Sequence, residues 1–331
     1  MVFLTENNGD LHDCEVRLLE KEGGENSSST SRLNRNYLTL NGNRYGSVYT
    51  LLNSMIKYAL HHTRRMLAGS KAGLHFVTKL RNQCELTIGR AHGWGISKDP
   101  ELNGEARWAR AVIDRLQYVV DVGANKGEWT ELVLRQKDVK RALLFEPSLS
   151  AIEVLQARFS AHPEVEVVEA AAGNAIGSML FFEEEGAGET SSLVAGFSRG
   201  GTARRVQLTT VDAEIEKRGW PSVDFLKIDA EGFDFRVLEG TRRLFEKGMV
   251  SYGQFEYNGP WRLSGTTLTF AVQWLRNLGY QCFLLKADGL HTPNIEFYRE
   301  YYLYSNYAII RNDLVECALQ RTRPQSGPNL P

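Results

Sequence analysis

From about residue 117 the chain alternates short apolar runs with segments of helical periodicity. The first run, Gln117-Tyr-Val-Val-Asp-Val-Gly123, is β-branched and ends in glycine, which predicts a strand buried on both faces. A helix is expected over 128–135, followed by a second run, Ala142-Leu-Leu-Phe-Glu146. Pro147 and Ser148 open another helix that runs to Phe159, with Ser150 and Glu153 at capping-box spacing. Further runs are Val165-Glu-Val-Val-Glu-Ala-Ala171, Asp224-Phe-Leu-Lys-Ile-Asp229, Tyr252-Gly-Gln-Phe-Glu256, Cys282-Phe-Leu-Leu285 and Tyr307-Ala-Ile-Ile310. Helical patterns over 233–246 and 268–278 separate them. Strands alternating with helices predict an α/β fold with a mainly parallel, seven-stranded sheet covered by helices on both faces. The interval 176–212 breaks the rhythm, and its runs at 178–182 and 204–209 predict a hairpin or edge strands.

The N-terminal third has a different pattern. Residues 1–43 contain a polar, low-complexity stretch, Gly23-Gly-Glu-Asn-Ser-Ser-Ser-Thr-Ser31, and are expected to be a flexible tail. Between 44 and 100 there are nine Lys/Arg against Glu85 and Asp99. Val48, Leu51, Leu52, Met55, Ile56, Ala59 and Leu60 recur there at helical spacing and lead into His61, His62, Arg64 and Arg65. This predicts an amphipathic helix with a basic C-terminal end. Packing on the main domain, with cations near the negative dipole end, is preferred to contact with an anionic surface, because only one turn is strongly basic. The expected organisation is a tail at 1–43, a basic helical extension at 44–103, a catalytic domain at 104–315 and a C-terminal tail at 316–331.

Composition narrows the function. Among 331 residues, 39 Lys+Arg balance 40 Asp+Glu for a formal net charge of −1, which excludes a polybasic nucleic-acid binder as a description of the whole chain. No run of about 18 apolar residues suggests a membrane span, and Met1-Val-Phe-Leu lacks the basic region of a secretory signal. Cys14, Cys84, Cys282 and Cys317 are scattered without a CxxC pair, so neither a zinc site nor a disulfide framework is expected, and a cytoplasmic setting is.

The chemistry gathers at strand ends. Asp121-Val-Gly123-Ala-Asn125-Lys-Gly127 lies between a buried strand and a helix, where an α/β sheet meets its ligand. Gly123 and Gly127 permit close backbone approach, and Asn125 tolerates positive φ. The dinucleotide fingerprint is incomplete, and Asp121 would repel a pyrophosphate while favouring a ligand with an ammonium group, such as S-adenosyl-L-methionine. Glu146, 19 residues after Gly127, stands where a carboxylate accepts hydrogen bonds from both hydroxyls of an adenosine ribose. Asp229 ends the fourth run, with Glu231 two residues on and Lys227 two residues back on the same strand face. Glu256 and Asn258 end the fifth run and are expected to face the same cleft. A proton acceptor beside the methyl group is the preferred role for this group; no metal ligand is assigned, and a cation site from Asp229, Glu256 and Asn258 is the alternative. Trp261, Tyr298, Tyr301, Tyr302 and Tyr304 offer a weaker signal for an acceptor pocket.

Taken together, 117–311 resembles the FkbM family of S-adenosylmethionine-dependent methyltransferases. The resemblance is carried by 121–127, Phe145-Glu-Pro147, Glu169-Ala-Ala-Ala-Gly173, Ser191-Ser-Leu193, Leu208-Thr-Thr-Val-Asp212 and the block from Val223 to Gly232 that continues to Val237-Leu-Glu-Gly240. It implies a class I methyltransferase (Rossmann-like) fold and O-methylation of a hydroxyl on a sugar, glycan or secondary metabolite. It implies further that Asp121, Gly123, Asn125, Gly127 and Glu146 hold the cofactor, with Asp229, Glu231 and Glu256 near the transfer site. Phe233-Asp-Phe and the basic extension depart from the family pattern. A nicotinamide oxidoreductase is disfavoured by Asp121, and a non-catalytic adaptor would be expected to have lost Asp121 or Glu146.

Overall fold

A computed structural model describes residues 2–5, 15–18, 44–92, 99–112, 116–135, 139–183, 191–196 and 202–322. It falls into two units, Met1–Cys84 and Glu85–Pro331. In the first, β1 (Val2–Thr5) pairs antiparallel with β2 (Glu15–Leu18), and the expected basic helix is α1 (Arg44–Ala68). Helix α2 (Lys71–His92) follows and runs across the boundary. Apart from the two strands, the expected flexible tail at 1–43 lies outside the described residues, as does the chain beyond 322.

The second unit begins with α3 (Pro100–Asn103) and α4 (Glu105–Val112). Then come β3 (Tyr118–Val122), α5 (Glu128–Leu134), β4 (Arg141–Phe145), α6 (Leu149–Arg158), β5 (Val165–Val168) and β6 (Ala171–Ala172). The hairpin β7 (Gly177–Glu183) and β8 (Thr202–Thr209) precedes α7 (Val211–Arg218), β9 (Val223–Ile228), α8 (Asp234–Glu239), α9 (Arg242–Glu246) and β10 (Val250–Tyr257). The chain ends with α10 (Leu268–Asn277), β11 (Tyr280–Lys286), β12 (Gly289–His291), α11 (Ile295–Tyr298), β13 (Ser305–Arg311) and α12 (Val315–Thr322).

All seven expected strands join one sheet of order β12-β11-β13-β10-β9-β3-β4-β5, in which β13 is inserted antiparallel between β10 and β11. The sheet has eight strands, not seven. The extra edge strand β12 is three residues long, too short to leave an apolar run. Strands β4, β3, β9 and β10 are parallel and buried on both faces, which is why their sequences read as continuous apolar runs, while β5 at the edge is only partly buried. On one face Val120, Leu143, Leu226 and Ile228 pack with Val211 and Ile215 of α7, Leu238 of α8, Leu244 of α9 and Leu275 of α10. On the other, Val119, Phe225, Tyr252 and Ile310 pack with Trp108 of α4, Val133 of α5 and Ala318 of α12. The hairpin and β6 make a separate three-stranded sheet, as the broken rhythm predicts.

Two local expectations are corrected. The helix beginning after Pro147 is capped by Ser148, whose Oγ accepts the Ala151 N–H at 3.3 Å, and not by Ser150. The helix expected over 233–246 is two, α8 and α9, divided at Gly240 and Thr241, with the Asp212 carboxylate accepting the N–H groups of Arg243 and Leu244 at 2.9 and 3.0 Å.

Candidate active site

The chain winds outward through β3, β4 and β5 in one direction and through β9 and β10 in the other, so a crevice opens at the carboxyl ends of β3 and β9. A cavity of about 860 Å³ occupies that place, lined by the turns after β3, β4, β9 and β10 and by residues of α3, α4 and the segment before β13.

The turn after β3 folds around a single carboxylate. Asn125 adopts φ 47°, and its N–H donates to Glu146 Oε2 at 2.8 Å, while the Ser148 N–H donates to Oε1 at 2.8 Å. Glu146 lines the cavity yet is only 5% exposed; burial pushes its carboxyl up to about 7, against the pull of those two N–H groups. The backbone donor that would greet a phosphate is thus already given to a carboxylate, while Glu128 and Glu131 of α5 share the wall with Lys126 and Arg135, the last paired with Glu131 at 3.0 Å. The two glycines serve the chain more than the ligand. At Gly123 (φ +75°) a Cβ would come 1.9 Å from the Asp229 carbonyl oxygen, and at Gly127 (φ +79°) it would strike the Phe159 ring. Gly123 lines the cavity, whereas Gly127 lies behind its wall.

Asp121 also stands behind the wall. It is 1% exposed, accepts the Thr130 hydroxyl at 2.6 Å and lies 3.7 Å from Lys227 Nζ; burial raises its carboxyl, opposed by Lys227 and Thr130. Sheet register explains the pairing, because Asp121 and Gln254 are the cross-strand neighbours of Lys227 on β3 and β10. Lys227 also reaches Asp229 Oδ2 at 3.0 Å and lines the cavity. Although burial lowers its pKa, Asp229, Asp121 and Glu105 together hold the ammonium above its usual value.

The expected catalytic acids converge. One carboxylate oxygen each of Asp229, Glu231 and Glu256 lies within 4.8 Å of the others, and all three residues line the cavity. The Asp234 carboxylate accepts the N–H groups of Ala230 and Gly232 at 3.3 and 3.0 Å, setting the turn in which Glu231 takes φ 47°. Ser192 Oγ donates to the Glu231 carbonyl at 2.7 Å. Asn258 Nδ2 bridges Glu256 at 2.5 Å and Glu231 at 3.2 Å. Burial, then the charges of Asp229 and Glu231, raise the Glu256 carboxyl well above its usual range.

Three contributors had little sequence signal. Glu105 of α4 enters the cavity wall, with Gln254 and Asn103 donating to it at 2.6 and 2.7 Å and burial pushing its carboxyl upward. Thr130 and Asp234 are the others, one holding Asp121 and one the turn at Glu231. Of the late aromatics, Tyr304 lines the cavity. Trp261 is buried with Nε1 donating to the Glu256 carbonyl at 2.8 Å, Tyr301 and Tyr302 pack on Tyr257, and the Tyr298 side chain lies outside the described residues.

Residues 121–282 match the family described as the methyltransferase FkbM domain, a span that holds every expected site residue. The similarity to the methyltransferase FkbM domain is thus confined to residues 121–282. Comparison with curated proteins gave no match. Among solved structures, the chain is similar to Methyltransferase FkbM from Methylobacillus flagellatus KT at 18% identity and a TM-score of 0.39, over 58% of this chain and 43% of that one. The chain thus spans less than half the length of that FkbM protein. It is also similar to precorrin-6y C5,15-methyltransferase from Geobacter metallireducens GS-15, at 12% identity and a TM-score of 0.36, over 66% of this chain and 94% of that one. Glu105 and Tyr304, which also line the cavity, lie outside the matched span.

Proposed function

We propose that this FkbM methyltransferase takes its methyl group from S-adenosyl-L-methionine and delivers it to a hydroxyl oxygen of a sugar, glycan or secondary metabolite. The observation that carries the donor is Glu146: a buried carboxylate at the end of β4 whose oxygens accept one backbone N–H each and keep lone pairs for the two ribose hydroxyls. Asn125 fits the same ligand, since its Oδ1 is buried without a partner beside the cavity and can accept from an ammonium or hydroxyl. In this reading Asp121 acts through charge from behind the wall, Gly123 and Gly127 shape the turn, and Glu231 and Glu256 flank the acceptor.

Bound S-adenosyl-L-methionine supplies an activated methyl group on a sulfonium. The chain's own residues orient the acceptor and receive its proton. Asp229 is placed for that step: its side chain is 34% exposed toward the cavity and fixed by the Lys227 ammonium. Glu256, beside Asp229 and inclined by burial to the protonated form, hydrogen-bonds the acceptor. Asp229→Asn is expected to bind S-adenosyl-L-methionine nearly as well as the parent and to transfer methyl groups about 10²–10⁴ times more slowly. Calorimetry and mass-spectrometric detection of methylated hydroxyl compounds measure the two quantities, and full turnover in the variant removes Asp229 from this role.

The three-carboxylate cluster favours one second reading, a divalent cation that polarises the acceptor oxygen, held by Asp229, Glu231 and Glu256 with Asn258 beside them. Exhaustive chelation should then abolish transfer and Mg²⁺ restore it. Turnover that survives chelation leaves the carboxylate-base reading standing.

A further inference from the structure

At about 100° per residue, Met55, Ile56, Ala59 and Met66 of α1 fall within one arc, and Lys57, His61, Arg64 and Arg65 within the opposite one. In α2 the same rule puts Phe76, Val77, Leu80 and Ile88 on one face, bordered by Arg81, and Lys71, His75, Lys79 and Arg90 on the other, where Leu86 also lies. The apolar faces are open: Met66 is 73% exposed, Phe76 57% and Leu80 52%. Among the described residues, none from either helix belongs to a buried apolar cluster. Isolated exposed leucines need no explanation, but two consecutive helices with continuous apolar faces mark a surface that docks on something.

Charge selects the occupant. Residues 54–90 contain seven Lys/Arg and one acid, in a chain whose formal net charge is −1. A second copy would bring basic flanks against basic flanks. A nucleic acid would engage the cations and leave the apolar arcs in water. An anionic bilayer surface satisfies both arcs at once, with the apolar side chains at the acyl boundary and the cations among lipid phosphates. Neither helix is long and apolar enough to cross the membrane, so each would lie along it. We propose that α1 and α2 are a peripheral membrane-docking segment for negatively charged lipid surfaces.

Sedimentation of the full chain with vesicles of phosphatidylcholine, with and without about a quarter phosphatidylserine, tests this. Binding is expected to the anionic vesicles and to weaken as salt is raised. Lys57→Ser/Arg64→Ser/Arg65→Ser should lower affinity about 100-fold, at roughly fivefold per cation. Phe76→Asp/Leu80→Asp should abolish binding at the same salt while circular dichroism stays unchanged, since both side chains are exposed. Equal recovery with both vesicles overturns the proposal. So does binding lost with the cations but kept without the apolar pair, which is polyanion adsorption. A wild-type dimer that Phe76→Asp/Leu80→Asp dissociates also overturns it, because the faces then bind each other.

Discussion

Affinity for S-adenosyl-L-methionine is expected to fall about tenfold between pH 8 and pH 6, with Glu146 as the titrating group. Its carboxyl is buried at the end of β4 and stands near 7, against an ordinary value of 4.5. Only the ionised form offers free lone pairs on both oxygens to the two ribose hydroxyls. With a pKa near 7 in the unliganded protein, about one tenth of the molecules are competent at pH 6 and about nine tenths at pH 8, and apparent affinity scales with that fraction. Binding therefore releases a proton as pH falls through this window. The same displacement acts on stability with a definite sign. Between pH 4.5 and 7 the folded chain holds a proton that the unfolded chain has lost, so this group's contribution declines as pH rises, by about 3 kcal/mol across the window. Calorimetry at several pH values, in two buffers of different ionisation heat, measures affinity and proton release together. Glu146→Gln cannot titrate and should flatten the profile; any titration of the ligand is common to both proteins and cancels in their ratio. The variant should also lose about 1–3 kcal/mol of stability, since its amide nitrogen faces one of two buried N–H donors. A flat wild-type profile, or a slope that persists in Glu146→Gln, refutes the reasoning.

Two further variants probe the frame behind the cavity. Lys227→Met removes the cation shared by Asp121 and Asp229 and should cost about 3–5 kcal/mol in urea unfolding at neutral pH. Part of that loss should return on acidification, because burial already inclines Asp121 to take a proton; an unchanged unfolding midpoint would show the pair to be dispensable. Gly123→Ala sets a Cβ 1.9 Å from the Asp229 carbonyl at φ +75°, so a loss of at least about 3 kcal/mol is expected in thermal unfolding, together with loss of cofactor affinity. A variant that melts with the parent would mean that the turn after β3 yields easily.

Much of the architecture is legible along the chain because parallel strands buried on both faces must be apolar throughout, and each of the seven runs became a strand of the main sheet. Acids at strand ends are legible for a related reason: the topology sends those ends to one crevice. Legibility failed where position depends on register or on distant segments. Asp121 could be read as facing a ligand, but pairing of β3 with β9 sets it opposite Lys227, and Thr130 in the first turn of α5 closes over it. Glu105 stands 149 residues from Gln254 along the chain and bonds to it only after α4 settles over β10.

The amino-acid order by itself determined the strand and helix alternation, the turn chemistry of 121–127 and the acids brought to the crevice, because these follow from local periodicity and from the few residue types that a tight turn or strand end accepts. Only the tertiary structure decided which acids touch the cavity and which are held behind it by Lys227. Those outcomes depend on cross-strand register and on packing between distant segments, and no short window of sequence encodes either.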